Sequence, residues 1–402
     1  MPTGASRTQL GEYNIRAVLH ALRRLGPSSQ QDLAAQAGLS VQAVSVILRG
    51  LLERGQVREL RTENSGRGRP RTIVDLVPEA AFSLGVHVDP SLVTAVALDL
   101  SGRPVRLEHS AAVDPSDPAA SMEEAARLVR LLVGRLGPAR ERVVGAALAV
   151  PGRVDLGAGA IADSVWLPHW NGAPLGDLLA ERLGVPVPLL KDTFAAVSGE
   201  IWVRGPELLG ANTVFVYFGI GTGLGIAVEG KPLGGETGNA GQAGRLFEAL
   251  AGSVEQSSPT AHDPVSLVRS AHETGLLPGP VPGPADLASV DARFRELSDR
   301  AQAGEGAALE LLQGAGERVW QAALIAADVL DAGTVVFGGP YWPLLSGILL
   351  PRVEQRIARD PQRRGRQIRM LASALGADAG AIGAAGWVLE QRFSPNGALS
   401  TP

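Results

Sequence analysis

Residues 213–225 read TVFVYFGIGTGLG, a six-residue apolar run followed at once by four glycines in seven positions. Aromatic and β-branched residues in a short unbroken run predict a buried strand. Glycines at 219, 221, 223 and 225 predict backbone approached more closely than a Cβ would allow. Two neighbours fit. One is a phosphate, held by Gly219, Gly221, Thr222, Gly223 and Gly225. The other is the protein itself, packed onto a tight hairpin.

Outward from this stretch, LGIAVEG and KPLGG continue as strands, helices follow, and TVVFGGP (334–340) is a further strand. An earlier set has the same character. FSLGVHVDPSLVTAVALDLSGRPV (82–105) holds two strand-like runs with a second turn at SGRP, and SMEEAARLVRLLVGRLG (121–137) is an amphipathic helix. The strand VVGAALAV, the segment PGRVD, the helix PLGDLLAERLG and the strand VPVPLLKD, ending at Asp192, complete it. Strands alternating with helices in two similar halves predict an α/β body of two lobes.

The first 77 residues differ. GEYNIRAVLHALRRLG places Ile15, Val18, Leu19 and Leu22 on one helical face. SSQQDLAAQAG predicts a short helix with a serine cap and Gly38 as its stop. Ser40 caps a second helix, VQAVSVILRGLLERG, whose buried stripe is Val44, Ile47, Leu48, Leu51 and Leu52. This is the helix-turn-helix pattern, and its second helix would meet the major groove through Ser40, Val41, Gln42, Ser45 and Arg49. QVREL and RTIVDL flank RTENSGRGRP as the two strands of a wing, whose tip carries Arg67 and Arg69 for the narrow minor groove.

Charge separates the same two parts. Residues 1–77 hold eleven arginines and six acids, +5, so the rest must carry −9 to reach the chain's −4. A basic head on an acidic body suits a protein that meets nucleic acid at one end. The chain has no cysteine, which excludes disulfides and thiolate metal sites. It has no run of eighteen apolar residues, and its start, MPTGASRTQL, lacks the apolar stretch of a signal peptide. A cytoplasmic protein with no membrane partner is expected.

In order along the chain, LGVHVDPSLVTAVALDLSG, GAALAVPGRVD, VPVPLLKDTFAAVSGE, VYFGIGTGLGIAVEGKPLGGETGNAGQAG, VVFGGP and GADAGAIGAAG, with GRGRP in the wing, resemble the ROK proteins (repressors, open reading frames and sugar kinases). The resemblance covers nearly the whole chain and points to the branch with an N-terminal winged helix. It implies an α/β fold: a winged helix-turn-helix (1–77) before a bilobal actin/hexokinase-type, ribonuclease H-like body. The first lobe would span 78–204, completed by a C-terminal helix at about 380–395. The second would span 205–379 and carry the dimerisation surface. Asp192 stands at the family's catalytic Asp.

The departures bear on function. Where the family's kinases have Asp-x-Gly-Gly-Thr, this chain has His87, Val88, Asp89, Pro90 and Ser91. An imidazole is a poor ligand for Mg²⁺, and proline offers no N–H to a phosphate. The Glu-x-Gly-His element becomes Gln242, Ala243, Gly244 and Arg245, and the Asn beside the catalytic Asp becomes Lys191. The zinc-binding cysteines are absent, with LFEALAGS following directly. Leu167 aligns with a sugar-contacting Asn, while His169, Trp170 and Asn171 lie beside it; a Trp there either stacks on a pyranose or anchors the lobe.

These readings predict a DNA-binding regulator, read as a repressor of carbohydrate-related genes, with no catalytic residue, metal or cofactor. Its partners would be duplex operator DNA, a sugar, sugar acid or sugar phosphate at Asp192, Gln242, Arg245, Asn171 and His169, and a second copy in a homodimer or dimer of dimers. Two alternatives remain: a sugar kinase using ATP with Asp192 as base, and a dimerisation scaffold that senses nothing.

Overall fold

A computed structural model describes residues 7–63, 71–111, 113–208, 210–250, 262–283, 286–359 and 368–395. The head comprises α1 (Arg7–Leu25), β1 (Ser28–Ser29), α2 (Gln30–Ala37), α3 (Val41–Glu53), β2 (Val57–Glu63) and β3 (Arg71–Leu76). Ser29 and Asp32 form a reciprocal capping box at the start of α2, and Gly38, at φ 65°, ends it. Ser40 caps α3 by accepting from the Ala43 N–H. Each cap stands where the sequence places it. Val44, Leu48 and Leu51 of α3 are buried against Val18 and Leu22 of α1, with Ile47 and Leu52 partly covered. β2 and β3 pair antiparallel as the wing hairpin, and β1 extends the sheet alongside β3.

The first lobe runs β4 (Phe82–Asp89), β5 (Leu92–Asp99), β6 (Pro104–Ser110), α4 (Pro118–Arg135), β7 (Val143–Val150), the ribbon β8 (Arg153–Asp155) and β9 (Ala160–Asp163), α5 (Leu175–Leu183), β10 (Leu189–Lys191) and α6 (Asp192–Arg204). The second runs β11 (Thr213–Phe218), β12 (Thr222–Val228), β13 (Lys231–Pro232), α7 (Gly244–Leu250), α8 (Pro264–Glu273), α9 (Leu287–Gln302), α10 (Gly306–Val329), β14 (Thr334–Gly338), α11 (Trp342–Arg359), β15 (Arg369–Ala372) and α12 (Ala379–Phe393).

The two large sheets have the same plan. One is ordered β6-β5-β4-β7-β10 and the other β13-β12-β11-β14-β15, each an antiparallel meander followed by two parallel strands. The duplication that the sequence only suggests is therefore explicit in the topology. KPLGG supplies only two strand residues, because Pro232 lacks an N–H and the glycines behind it turn the chain.

α6 and α12 join the lobes. α12 lies on β4 and β7, α6 lies on β11 and β12, and the two helices pack on each other. They touch backbone to backbone: a Cβ on Gly383 would stand 1.7 Å from the Ala195 carbonyl oxygen. The head is mounted at the far end of this pair. Arg23 of α1 donates to Glu390 of α12, and its guanidinium lies 3.9 Å over the ring of Trp202 from α6.

Candidate functional site

Two regions concentrate the expected site residues. In the head, α2 and α3 meet at 110°, within the range of helix-turn-helix pairs. With three hydrophobic residues turned inward, α3 presents Val41, Gln42, Val46 and Arg49 to solvent and Ser45 at half burial. The exposed arginines Arg54, Arg58 and Arg71 lie on the same domain. Arg67 and Arg69 fall outside the described residues.

The second region lies between the lobes. Asp192 is the first residue of α6 and is buried; its Oδ1 accepts from the Thr193 N–H at 2.6 Å. Burial pushes its pKa up, and the neighbouring Lys191 charge pulls the other way. The buried Lys191 ammonium donates to the Gly152 carbonyl at 2.7 Å and to Gln242 Oε1 at 2.9 Å. Burial lowers its pKa, opposed by Asp192. A residue of the first lobe thus holds the element that the sequence assigns to ligand. Asn239 makes a parallel tie, accepting from the Val154 N–H and donating to the Val154 carbonyl, both at 2.8 Å.

The glycine turn answers to protein groups. A Cβ on Gly219 would meet Asp89 Oδ2 at 2.7 Å, one on Gly221 Trp166 Nε1 at 2.6 Å, and one on Gly225 the Thr193 carbonyl at 2.4 Å. Trp166 comes from the first lobe, so its indole lies across the cleft on the second lobe's turn. Thr222 opens β12, where it pairs with Phe218, and Gly223 packs on the Thr193 side chain.

The first hairpin is closed on itself. Asp89 Oδ1 accepts from the Ser91 N–H at 3.1 Å and from its hydroxyl at 2.9 Å. Burial raises the Asp89 pKa to about 6, with the Asp192 charge adding to the rise and the Ser91 bonds opposing it. His87 is buried under α12, where a Cβ on Gly380 would stand 2.7 Å from its ring, and it meets Tyr217 edge-on at 6.0 Å. Burial lowers its pKa to about 4. The Tyr217 hydroxyl lies toward Asp89 but outside hydrogen-bonding geometry, and burial first, then both cleft carboxylates, raise its pKa. Among the described residues, His87 Nε2, Tyr217 Oη, Thr193 Oγ1 and Thr222 Oγ1 are buried around this turn without a partner.

The remaining expected residues divide. Asn171 accepts from the Ser164 N–H at 2.8 Å and so braces its own loop. His169 and Arg245 are exposed. Trp170 is wholly buried, with Nε1 directed at the Asp114 carbonyl at 3.3 Å. Of the two readings for a Trp here, it takes the anchoring one. Sequence reasoning missed Trp166, Asn239 and the Arg23 joint. Asn239 lies inside GETGNAG and Arg23 inside GEYNIRAVLHALRRLG, both stretches already singled out, but for other reasons.

Comparison with known proteins places this geometry. Residues 92–254 match the profile of the ROK family. That stretch is similar to a ROK family domain. Over 338 residues it is 27% identical to the transcriptional regulator Rv0485 of Mycobacterium tuberculosis, covering 82% of this chain and 75% of that one. The likeness in fold extends through the head. A crystal structure of a ROK family transcriptional regulator, a homologue of the Escherichia coli Mlc protein, superposes with a TM-score of 0.73 over 97% of this chain and 98% of that one, at 19% identity. A ROK glucokinase from Streptomyces griseus, in complex with glucose and AMPPNP, superposes with a TM-score of 0.57 over 76% of this chain and 98% of that one, at 22% identity.

Proposed function

We propose that the chain is a DNA-binding transcriptional regulator of carbohydrate-related genes, acting as a repressor in the cytoplasm. Its ROK body senses a small molecule and assembles the protein as a homodimer or dimer of dimers. The observation that carries this reading is the α2–α3 pair, set at 110° with an exposed outward face, on a ROK-like body. Two such heads held by one assembly would engage half-sites about one helical turn, or a multiple of it, apart.

The effector site is proposed between the lobes, around Asp192, Gln242, Asn171, His169 and Arg245. Buried polar atoms without partners are costly, and His87, Thr193, Tyr217 and Thr222 supply four beside the two cleft carboxyls. A hydroxyl-rich ligand would satisfy them, and Arg245 would receive a carboxylate or phosphate on it. A ligand that fits one lobe arrangement better shifts the population of DNA-competent protein by no more than its difference in affinity.

We read the body as non-catalytic. A kinase needs a metal–nucleotide pair at the first hairpin, where Asp89 is engaged by Ser91 and the neighbouring side chain is the buried His87. That donor set suits Mg²⁺ poorly. Asp192 alone speaks for kinase activity, as a buried carboxyl in the position of a base.

The test uses the full-length protein and the DNA upstream of its own gene. Binding that weakens steeply between 50 and 200 mM salt is expected, together with a rise in melting temperature with at least one member of a panel of sugars, sugar acids and sugar phosphates. Absent DNA binding, with phosphate transfer from ATP to a hexose that Asp192→Asn abolishes, overturns the proposal in favour of the kinase. DNA binding with no stabilising ligand leaves a scaffold.

A further inference from the structure

The outward face of α3 is unusual in its chemistry. Turning 100° per residue, Val41, Ser45, Arg49, Gln42 and Val46 occupy one arc of about 140°. Val41, in the first turn at the edge of the buried stripe, is 44% exposed, and Val46, on the side away from that stripe, is 65% exposed. Two valines in water on a helix otherwise well supplied with burial are explained by a partner with apolar points of its own. Duplex DNA, which the +5 head complements in charge, offers few: in the major groove the apolar group on a base edge is the C5-methyl of thymine.

We infer that Val41 and Val46 read thymine methyl groups while Gln42, between them on the arc, reads an adenine. The inference rests on the DNA-binding function proposed above and specifies what that function recognises. A Gln amide matches the N6 donor and N7 acceptor of adenine in one bidentate pair. Val41 and Val46 are about 7.5 Å apart along the helix axis, which spans about two base pairs at 3.4 Å each. Arg49, a little over two turns beyond the N-terminus, meets the phosphate backbone and positions the helix. Each operator half-site therefore contains two thymines about two base pairs apart, counted on either strand, with an A·T pair beside them.

The experiment selects preferred sites for the full-length protein from a random duplex pool, then remakes the best site with uracil at each thymine in turn. Uracil keeps the base pairing and removes only the methyl. Two positions per half-site should lose about 3- to 5-fold in affinity, the worth of one buried methyl, and other thymines should be neutral. In Val46→Ala the penalty at one of these positions should vanish, and in Val41→Ala at the other, with melting temperatures unchanged because both side chains are exposed. Gln42→Ala should relax the preference for A·T at its pair. Specific binding that uracil leaves untouched would overturn the inference and spare the function. A uracil penalty undiminished in both valine variants would also overturn it, as an effect of DNA deformability. If no sequence is enriched and no salt-sensitive binding exists, inference and function fall together.

Discussion

On α3, Val41, Gln42, Val46 and Arg49 stand in solvent; between the lobes, Lys191, Asp89, Asn239 and Trp166 are all engaged by other parts of the chain. The head keeps its chemistry available. The cleft has turned much of its chemistry inward, with an ammonium bonded to the glutamine opposite and an indole laid on the glycine turn. The difference sets the energetics of each partner. DNA meets a preformed surface, so affinity follows charge and base contacts. The ligand proposed for the cleft would have to replace existing bonds, and its selectivity would come from satisfying the four unpartnered polar atoms that those bonds leave behind.

Four changes would break or sharpen that contrast. The largest effect is expected from Arg67→Ala with Arg69→Ala in the wing. DNA affinity should fall about 100-fold and the slope of log affinity against log salt should lessen by about 2, with thermal stability unchanged. An unaltered slope would remove the wing from the interface. Next, Lys191→Ala removes the donor shared by Gln242 Oε1 and the Gly152 carbonyl and leaves the buried Asp192 without its countercharge. Unfolding free energy should drop by about 2 kcal/mol in denaturant titration, while DNA binding without ligand is retained. A stable variant would mean that the tie is incidental.

A smaller effect appears in the pH dependence of stability. The Asp89 pKa is raised to about 6 by burial, so between pH 4 and 6 the folded state binds more protons than the unfolded state, and this term weakens stability as pH rises. His87, lowered to about 4, binds fewer protons when folded, and its term strengthens stability as pH rises toward 6.5. The two oppose each other across pH 4–6. Asp89→Asn keeps an acceptor for Ser91 and removes one term, so acidification from pH 6 to 4 should destabilise it by about 1–2 kcal/mol more than wild type. Parallel curves would show that the pair does not titrate in this range. The smallest change is Gly221→Ala, whose Cβ would lie 2.6 Å from Trp166 Nε1. The indole must shift, at a cost of about 1 kcal/mol, and tryptophan emission should move to longer wavelength.

What the sequence disclosed was local. Ser29, Gly38 and Ser40 marked the helix ends because caps act within a few residues. The two halves were visible because strands and helices have different periods. The fate of GIGTGLG was not, since glycine spacing demands a close neighbour without naming it; Trp166 and Thr193 arrive from distant segments. Lys191 with Gln242, Val154 with Asn239 and Arg23 with Glu390 are pairs of the same kind. Each is fixed by tertiary packing, and neither member carries a local sign of the other.

The seat of Arg23 has a mechanical consequence. α6 starts at Asp192 and, ten residues later, has carried Trp202 beneath that guanidinium, a rigid rod of about 15 Å. Swivelling the head independently would peel a cation from an aromatic ring and separate it from Glu390. In the proposed dimer the head would therefore move as the tip of a lever whose short end is in the cleft, and displacements of about 1–2 Å there, the size common in helix shifts of known switches, would become a change of reach between its two heads.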